Sequence, residues 1–180
     1  MPMTDSQSVL INRAPVLTLW AAVVAERLGF DRDEALSLGK AVAGLTAQSK
    51  GRRLGIFRPK PAGIKEARKQ KRGEEFWIEL CGRPVPAINT GDGVRAVKGA
   101  EPVEPDGVQR YLEGKFGDAL SPVREAMSML AGAIPPDQLE REAFGLYEQF
   151  RPAIPEGTVG WGAKGKLDLD RIRALAGRKV

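Results

Sequence analysis

Positions 12–29 read NRAPVLTLWAAVVAERLG, an apolar helix with a start signal and a stop signal. Asn12 is a favourable N-cap, Pro15 suits a first turn, and Gly29 suits the residue that follows a last turn. The apolar residues cover much of the helix circumference, and they are Val16, Leu17, Leu19, Trp20, Val23, Val24 and Leu28. A helix of this kind is buried, either at the centre of its own chain or in a subunit interface.

A second helix is predicted directly after the first. Asp31 and Glu34 have the spacing of a capping box, in which each side chain accepts a hydrogen bond from the backbone N–H of the other residue. A single apolar stripe then recurs at helical spacing, as Leu38, Val42 and Leu45. Lys50 and Gly51 mark the predicted end of this helix.

Residues 25–38 resemble the helix-turn-helix pattern, with Ala25, Gly29 and Leu38 at its small, glycine and apolar positions. In that motif the second helix enters the major groove and is led by its N-terminal residues. Here those residues are Asp31, Arg32, Asp33 and Glu34, and phosphates would repel three carboxylates at this place. An ordinary corner between two helices is the favoured interpretation.

The sequence predicts an α+β fold that is mainly α-helical, with an N-terminal helix pair, a small antiparallel β-meander in the middle and C-terminal helices. The predicted strands are Glu75–Leu80, Val85–Ile88 and Val94–Val97, with turns at Gly82-Arg83-Pro84 and at 89–93. The later helices are expected at Asp106–Phe116, Ser121–Ala133 (with Ser121 as cap), Asp137–Phe150 and from the Asp168 cap to Ala176. Residues 101–105 are expected to be a linker, and residues 157–165 a glycine-rich loop.

The domain prediction is one compact unit with four regions: 1–50 helical, 51–72 basic, 73–100 β-meander and 101–180 helical. Within the basic region, residues 51–61 are expected to be irregular and residues 64–72 to form a short helix. The N-terminus lacks the pattern of a secretory signal, and the longest apolar run, 19–25, is too short to span a bilayer. A cytoplasmic protein without a membrane partner is therefore expected.

Two residue counts restrict the possible chemistry. The 180-residue chain contains no histidine and a single cysteine, Cys81. Ser-His-Asp triads, Cys-His pairs, imidazole acid–base catalysis and Cys₂His₂ zinc sites are therefore excluded. We expect no catalytic residues, no metal ligands and no cofactor, and an enzyme is the less favoured class.

Positive charge is concentrated in residues 50–72, which contain ten basic residues and one acidic residue, a net charge of +9. The other 157 residues contain 18 basic and 22 acidic groups, a net charge of −4. Phosphates would relieve the mutual repulsion of these cations and would release counterions on binding. The predicted function is noncatalytic binding to DNA or RNA phosphates, and the apolar first helix suggests a homodimer. The candidate nucleic-acid-binding residues are Lys50, Arg52, Arg53, Arg58, Lys60, Lys65, Arg68, Lys69, Lys71 and Arg72.

Two alternatives stay open. The first is a protein-interaction or assembly module, in which the basic segment meets an acidic partner or the acidic residues 101–150 of another copy. The second is an enzyme that acts on a phosphorylated small molecule.

A possible anion site for such a molecule lies in Gly160–Lys166, which matches the G-x-x-x-x-G-K opening of a phosphate-binding P-loop. Leu167 stands where a P-loop needs Ser or Thr for Mg²⁺, so nucleotide hydrolysis is rejected. The candidate anion-binding residues are Gly162, Lys164, Gly165 and Lys166.

Two shorter patterns match catalytic motifs. Ser37 and Lys40 have the S-x-x-K spacing of penicillin-binding proteins, but with six serines and eleven lysines in the chain about 0.4 such matches are expected by chance, which is enough to explain one. Asp106, Glu113 and Lys115 resemble the carboxylate and lysine arrangement of a large nuclease family. The prediction of a helix over these residues argues against that site, since helical residues two apart point in different directions.

Overall fold

The mainly helical α+β architecture is confirmed in a computed structural model, which describes residues 8–49, 74–98, 101–153 and 164–177. In chain order the elements are β1 Ser8–Asn12, α1 Arg13–Leu28, α2 Arg32–Ser49, β2 Phe76–Leu80, β3 Arg83–Thr90, β4 Gly93–Lys98, β5 Glu101–Pro102, α3 Pro105–Phe116, α4 Leu120–Gly132, α5 Pro136–Phe150, β6 Lys164–Asp168 and α6 Leu169–Gly177. Among the described helices, none combines the length and the apolarity that crossing a membrane requires.

Helix α1 is the centre of the core, as its sequence predicts. Every residue from Pro15 to Ala25 is buried, and the helix packs against α2, α4 and α5. The Trp20 indole donates a hydrogen bond to the carbonyl of Ala143 at 2.9 Å and meets the Phe150 ring edge-on, with 5.3 Å between the ring centroids. The same chain therefore covers the apolar surface that suggested a homodimer, and the homodimer stays a prediction that needs another basis.

The corner between α1 and α2 has the predicted geometry. Gly29 adopts a left-handed conformation, with φ of 119°, and its N–H donates to the carbonyl of Glu26 at 3.0 Å. Farther along, a Cβ added at Gly39 would lie 2.6 Å from the carbonyl oxygen of Thr18 and 2.9 Å from the backbone nitrogen of Ala22. The two helices therefore touch backbone to backbone at Gly39, which leaves no room for a side chain.

The predicted capping box forms at the start of α2. Asp31 Oδ1 accepts from the backbone N–H of Glu34 at 2.8 Å, and Glu34 Oε1 accepts from the backbone N–H of Asp31 at 3.0 Å. The other carboxylate oxygen, Glu34 Oε2, accepts from the backbone N–H of Val94 in β4 at 3.0 Å. Glu34 is completely buried, so this carboxylate both caps α2 and attaches it to the sheet.

Ser37 makes the second attachment between α2 and the sheet. Its buried hydroxyl accepts from the backbone N–H of Ala96 at 2.8 Å and donates to the carbonyl of Val103 at 2.7 Å. The N–H of Ala96 would otherwise be a buried polar group without a partner, which costs about 1–3 kcal/mol. Glu34 and Ser37 thus fix the position of β4 against the first turns of α2.

The sheet is antiparallel in the order β2-β3-β4-β5, with one more strand than the predicted meander. Cys81 and Gly82 form the first turn with φ of 50° and 76°, and two positive values are typical of a type I′ hairpin. The predicted turn at Gly82-Arg83-Pro84 was therefore wrong by one residue, because Arg83 and Pro84 belong to β3. Pro84 is tolerated there because it lies opposite Glu79, in a pair that exchanges no backbone hydrogen bonds. The hydrogen-bonded pair is the next one, which flanks the turn, so no bond to β2 requires an N–H from Pro84.

Several other boundaries differ from the sequence predictions. The expected linker at 101–105 contains β5, which pairs with β4, and then the first residue of α3. Ser121 does not cap α4, because a 3₁₀ turn at Gly117–Ala119 leads directly into the helix at Leu120. The loop predicted at 157–165 extends too far, since Lys164 and Gly165 belong to β6.

The predicted cap at Asp168 is confirmed. Its Oδ1 accepts from the backbone N–H of Asp170 at 3.0 Å at the start of α6. The predictions for residues 51–61 and 64–72 lie outside the described residues.

Cys81 is buried in the turn, with 2% of its surface exposed, and burial raises the pKa of its thiol to about 12. A thiol reagent at pH 8 should therefore modify the native chain at least about 100-fold more slowly than the chain unfolded in urea. The folded state should also lose stability between pH 9.0 and about 12, where only the unfolded thiol ionises. Equal labelling rates in the two states would contradict the burial of this side chain.

Candidate nucleic-acid interface

The ten basic residues predicted to bind nucleic acid, all within 50–72, lie outside the described residues, as does Gly162. The structure shows the elements between which this basic segment lies. Helix α2 ends at Ser49, and β2 begins at Phe76. Binding by the ten residues stays a prediction.

The remaining candidate anion-binding residues lie on β6, which pairs with β1 to form a two-stranded antiparallel ribbon. Lys164 lies opposite Asn12, and Lys166 lies opposite Leu10. Both lysines are exposed on the outward face of the ribbon, while Gly165 between them is buried. Leu10 on the same face is 69% exposed, so the lysines stand beside an apolar side chain that is open to solvent.

Gly165 has a packing role that the P-loop match does not require. It lies against the backbone of Ala153, which forms a bridge to Lys166, and a Cβ at Gly165 would overlap the carbonyl group of Ala153. A P-loop glycine instead lies in a loop whose N–H groups surround a phosphate. The close approach of two chain segments therefore accounts for this glycine, and anion binding near Lys164 and Lys166 stays a prediction.

Two arginines that sequence reasoning missed lie beside the ribbon. Arg13 directly follows β1, and its Nε donates to the carbonyl of Pro152 at 2.8 Å. Arg151 follows α5, and its guanidinium carbon lies 5.8 Å from the centre of the Tyr147 ring. Burial lowers the pKa of Arg13, and the neighbouring charge of Arg151 lowers this pKa further. We call Arg13, Arg151, Lys164 and Lys166 the ribbon patch.

The ribbon patch contains four cations, and the carboxylate of Asp168 lies on the same strand face as its two lysines. In the described part of the chain, Arg32 and Arg124 pair with Glu26, and Arg173 pairs with Asp170. Within the same part of the chain, none of the four ribbon-patch residues forms an ion pair. The four cations therefore lie in one part of the fold, and none of them pairs with a carboxylate of the described residues.

Known proteins offer no relative from which a role could be transferred. No family model matches the chain, no curated protein matches it, and no solved structure matches it.

The helix-turn-helix resemblance does not extend to the surface that such a motif presents to DNA. A recognition helix places its N-terminal residues in the major groove. Here the first turns of α2 face β4, because Glu34 binds the N–H of Val94 and Ser37 binds the N–H of Ala96. On its exposed side the helix begins with Asp31, Arg32 and Asp33, whose two carboxylates would repel phosphate, so an ordinary helical corner stays the favoured interpretation.

The S-x-x-K match also has a structural explanation. The Ser37 hydroxyl is completely buried and already bound to two backbone groups, so it is not available as a nucleophile. Lys40 Nζ lies 4.6 Å from the centre of the Tyr111 ring, where a cation–π interaction holds it. Neither residue is placed for acyl transfer.

The nuclease-like residues Asp106, Glu113 and Lys115 are exposed on α3, where the helix separates them as expected. The Gln109 amide donates to Glu113 Oε2 at 2.9 Å, a contact between neighbouring turns. Among the described residues, no group of three or more acidic, cysteine or histidine side chains could hold a metal ion. These three residues are therefore ordinary solvated side chains that do not converge on one site.

Proposed function

We propose that this chain binds the phosphate backbone of nucleic acid through residues 50–72, without catalysis and in the cytoplasm. The observation that carries the proposal is the net charge of +9 within this segment, in a chain whose other residues sum to −4. Each phosphate that a lysine or arginine neutralises releases condensed counterions, which gives affinity without sequence readout. The segment therefore fits a polyanion better than it fits a single small anion.

The attachment of the basic segment supports the proposal. Helix α2, which precedes it, is held to the sheet by Glu34 and Ser37, and Arg83 Nε donates to Thr46 Oγ1 near the end of α2 at 3.2 Å. The cations are thus connected on both sides to ordered elements of an acidic body. Repulsion between this body and phosphate would favour approach through the basic segment.

Binding should be measured with a labelled duplex and a labelled single strand over a series of salt concentrations. If five phosphates are contacted, log K for the duplex should fall with log salt at a slope of about −4.5. A single strand should give a shallower slope, near −0.7 per phosphate. Absence of binding to both probes at low salt would contradict the proposed function.

Neutralising five cations of the segment tests its location. The variant Arg52→Gln, Arg53→Gln, Lys69→Gln, Lys71→Gln and Arg72→Gln should reduce the steepness of the duplex slope by up to about 4.5. The matched control is Arg110→Gln, Lys115→Gln and Arg141→Gln, which removes exposed cations from α3 and α5 and should leave the slope unchanged. Equal slopes for the five-site variant and the unmodified chain would place the interface elsewhere.

Self-assembly is a second candidate, favoured by the opposite charges of two parts of the chain. Residues 101–150 contain ten acidic and four basic groups, opposite in net sign to residues 50–72. In a homodimer, the basic segment of one copy would bind the acidic helices of the other. Sedimentation equilibrium should then show a dimer that dissociates as the salt concentration rises. A monomer at low salt would exclude this candidate.

A further inference from the structure

We propose that the ribbon patch, Arg13, Arg151, Lys164 and Lys166, is a second phosphate-contacting surface for the same nucleic acid. This inference rests on the proposed function and deepens it, because it identifies where the folded body contacts the polyanion. The patch is composed entirely of described residues, and it is separate in sequence from the basic segment at 50–72.

Three distant parts of the chain meet to form the patch. The β1–β6 register places Lys164 opposite Asn12, the residue that precedes Arg13. Ala153 bridges to Lys166, and the preceding carbonyl, that of Pro152, accepts the hydrogen bond from Arg13. Folding thus gathers four cations from the start of α1, the end of α5 and β6 onto one small region.

The two lysines of the ribbon patch make fewer contacts within the fold than several of the arginines do. Arg27, for comparison, donates to the carbonyls of Ala131 and Ile134 at the end of α4, and Arg32 pairs with Glu26. In the ribbon patch, the two lysines are exposed and have no hydrogen-bond or ion-pair partner within the described part of the chain. A stabilising role within the fold therefore does not explain why the lysines lie beside Arg13 and Arg151.

The like charges of the patch point to an anionic partner. Burial lowers the pKa of Arg13 and the neighbouring charge of Arg151 lowers it further, so the two guanidinium groups lie close enough to repel each other. A phosphate between or beside them would reverse the sign of this interaction. Arginine is suited to this task because its planar group donates in a fork that matches phosphate oxygens.

The shape of the ribbon fits an extended backbone more closely than a compact anion. Lys164 and Lys166 are two residues apart on one strand, so their side chains share a face at a spacing of about 7 Å. The inner face of the ribbon, with Ile11 and Leu167, is buried against the body, so only its outer face is available to a partner. Contacts from lysine and arginine to phosphates would set the position of the nucleic acid and not its sequence.

The test is the double variant Lys164→Gln and Lys166→Gln, measured with the same labelled duplex over the same salt series. We expect the slope to become shallower by about 1.8, with lower affinity at every salt concentration. The fold should be unchanged because both side chains are exposed, and an unaltered urea midpoint checks this. The matched control is Arg110→Gln and Lys115→Gln, two exposed cations on α3 that should leave the slope unchanged.

The outcomes separate this inference from the proposed function. One outcome is that the double variant keeps the slope of the unmodified chain while the five-site variant of the basic segment has a shallower slope. In that case the ribbon patch is not a contact surface, and the proposed function stands. If the control variant changes the slope as much as the double variant, the effect is one of net charge and the inference also fails. If the unmodified chain binds no nucleic acid at low salt, both proposals are overturned.

Discussion

Replacing Glu34 with alanine should lower the free energy of unfolding by about 3–4 kcal/mol, among the largest effects expected for a single side chain in this fold. The carboxylate is completely buried and accepts hydrogen bonds from the backbone N–H groups of Asp31 and Val94. Alanine would leave the buried N–H of Val94 without this acceptor. It would also remove the carboxyl group that lies, with Arg95 Nη1, beside Gly93.

Urea unfolding monitored by tryptophan fluorescence should measure this loss. Glu34→Gln keeps the shape and one good acceptor, so it should lose about 1–2 kcal/mol, between the unmodified chain and the alanine variant. Asp33→Asn is the matched control, because Asp33 is an exposed carboxylate in the same helical turn, and its loss should stay below about 1 kcal/mol. A loss for Glu34→Ala as small as that of the control would show that Glu34 does not hold β4.

Two glycines of α2 should respond to the same substitution with opposite signs. Gly39→Ala should destabilise the fold by about 3 kcal/mol, because its Cβ would lie 2.6 Å from the carbonyl oxygen of Thr18 and the two helices would have to separate. Gly44→Ala should stabilise it by about 0.5–1 kcal/mol, since nothing lies within 4 Å of the added Cβ and alanine favours a helix.

The two glycine variants are each other's control, since they add the same methyl group to one helix. Both can be compared with the unmodified chain by thermal and urea unfolding under identical conditions. A destabilised Gly44 variant would mean that this part of α2 is not an exposed helix. If Gly39→Ala leaves the stability unchanged, α1 and α2 are farther apart than the 2.6 Å from an added Cβ to the carbonyl oxygen of Thr18 implies.

Local signals predicted much of the fold because their partners are near in sequence. The cap at Asp31, the left-handed Gly29 and the alternation of Phe76, Ile78 and Leu80 each depend on residues within one or two turns. The same reasoning gave only half of the role of Glu34. Its bond to Val94 joins residues 60 positions apart, and no local pattern indicates that pairing.

The ribbon could not be predicted for the same physical reason. β1 is a short apolar run without strict alternation, and β6 contains a glycine that weakens its strand signal. Each strand is stable only against the other, and they are separated by most of the chain. Arg13 and Pro152, whose contact helps to form the ribbon patch, are 139 positions apart, so the patch is visible only after folding.

The pairing of β1 with β6 also affects the order in which parts of the chain can fold during synthesis. The core helix α1 leaves the ribosome early. Strand β1 directly precedes this helix, but its partner β6 is translated only after residue 163. Contacts between parts of the chain this far apart in sequence form late, because bringing them together costs the conformational entropy of the residues between them. A nascent or prematurely terminated chain would therefore carry the basic segment without the ribbon patch. If the chain binds nucleic acid as proposed, such a product should bind it less tightly than the full chain does.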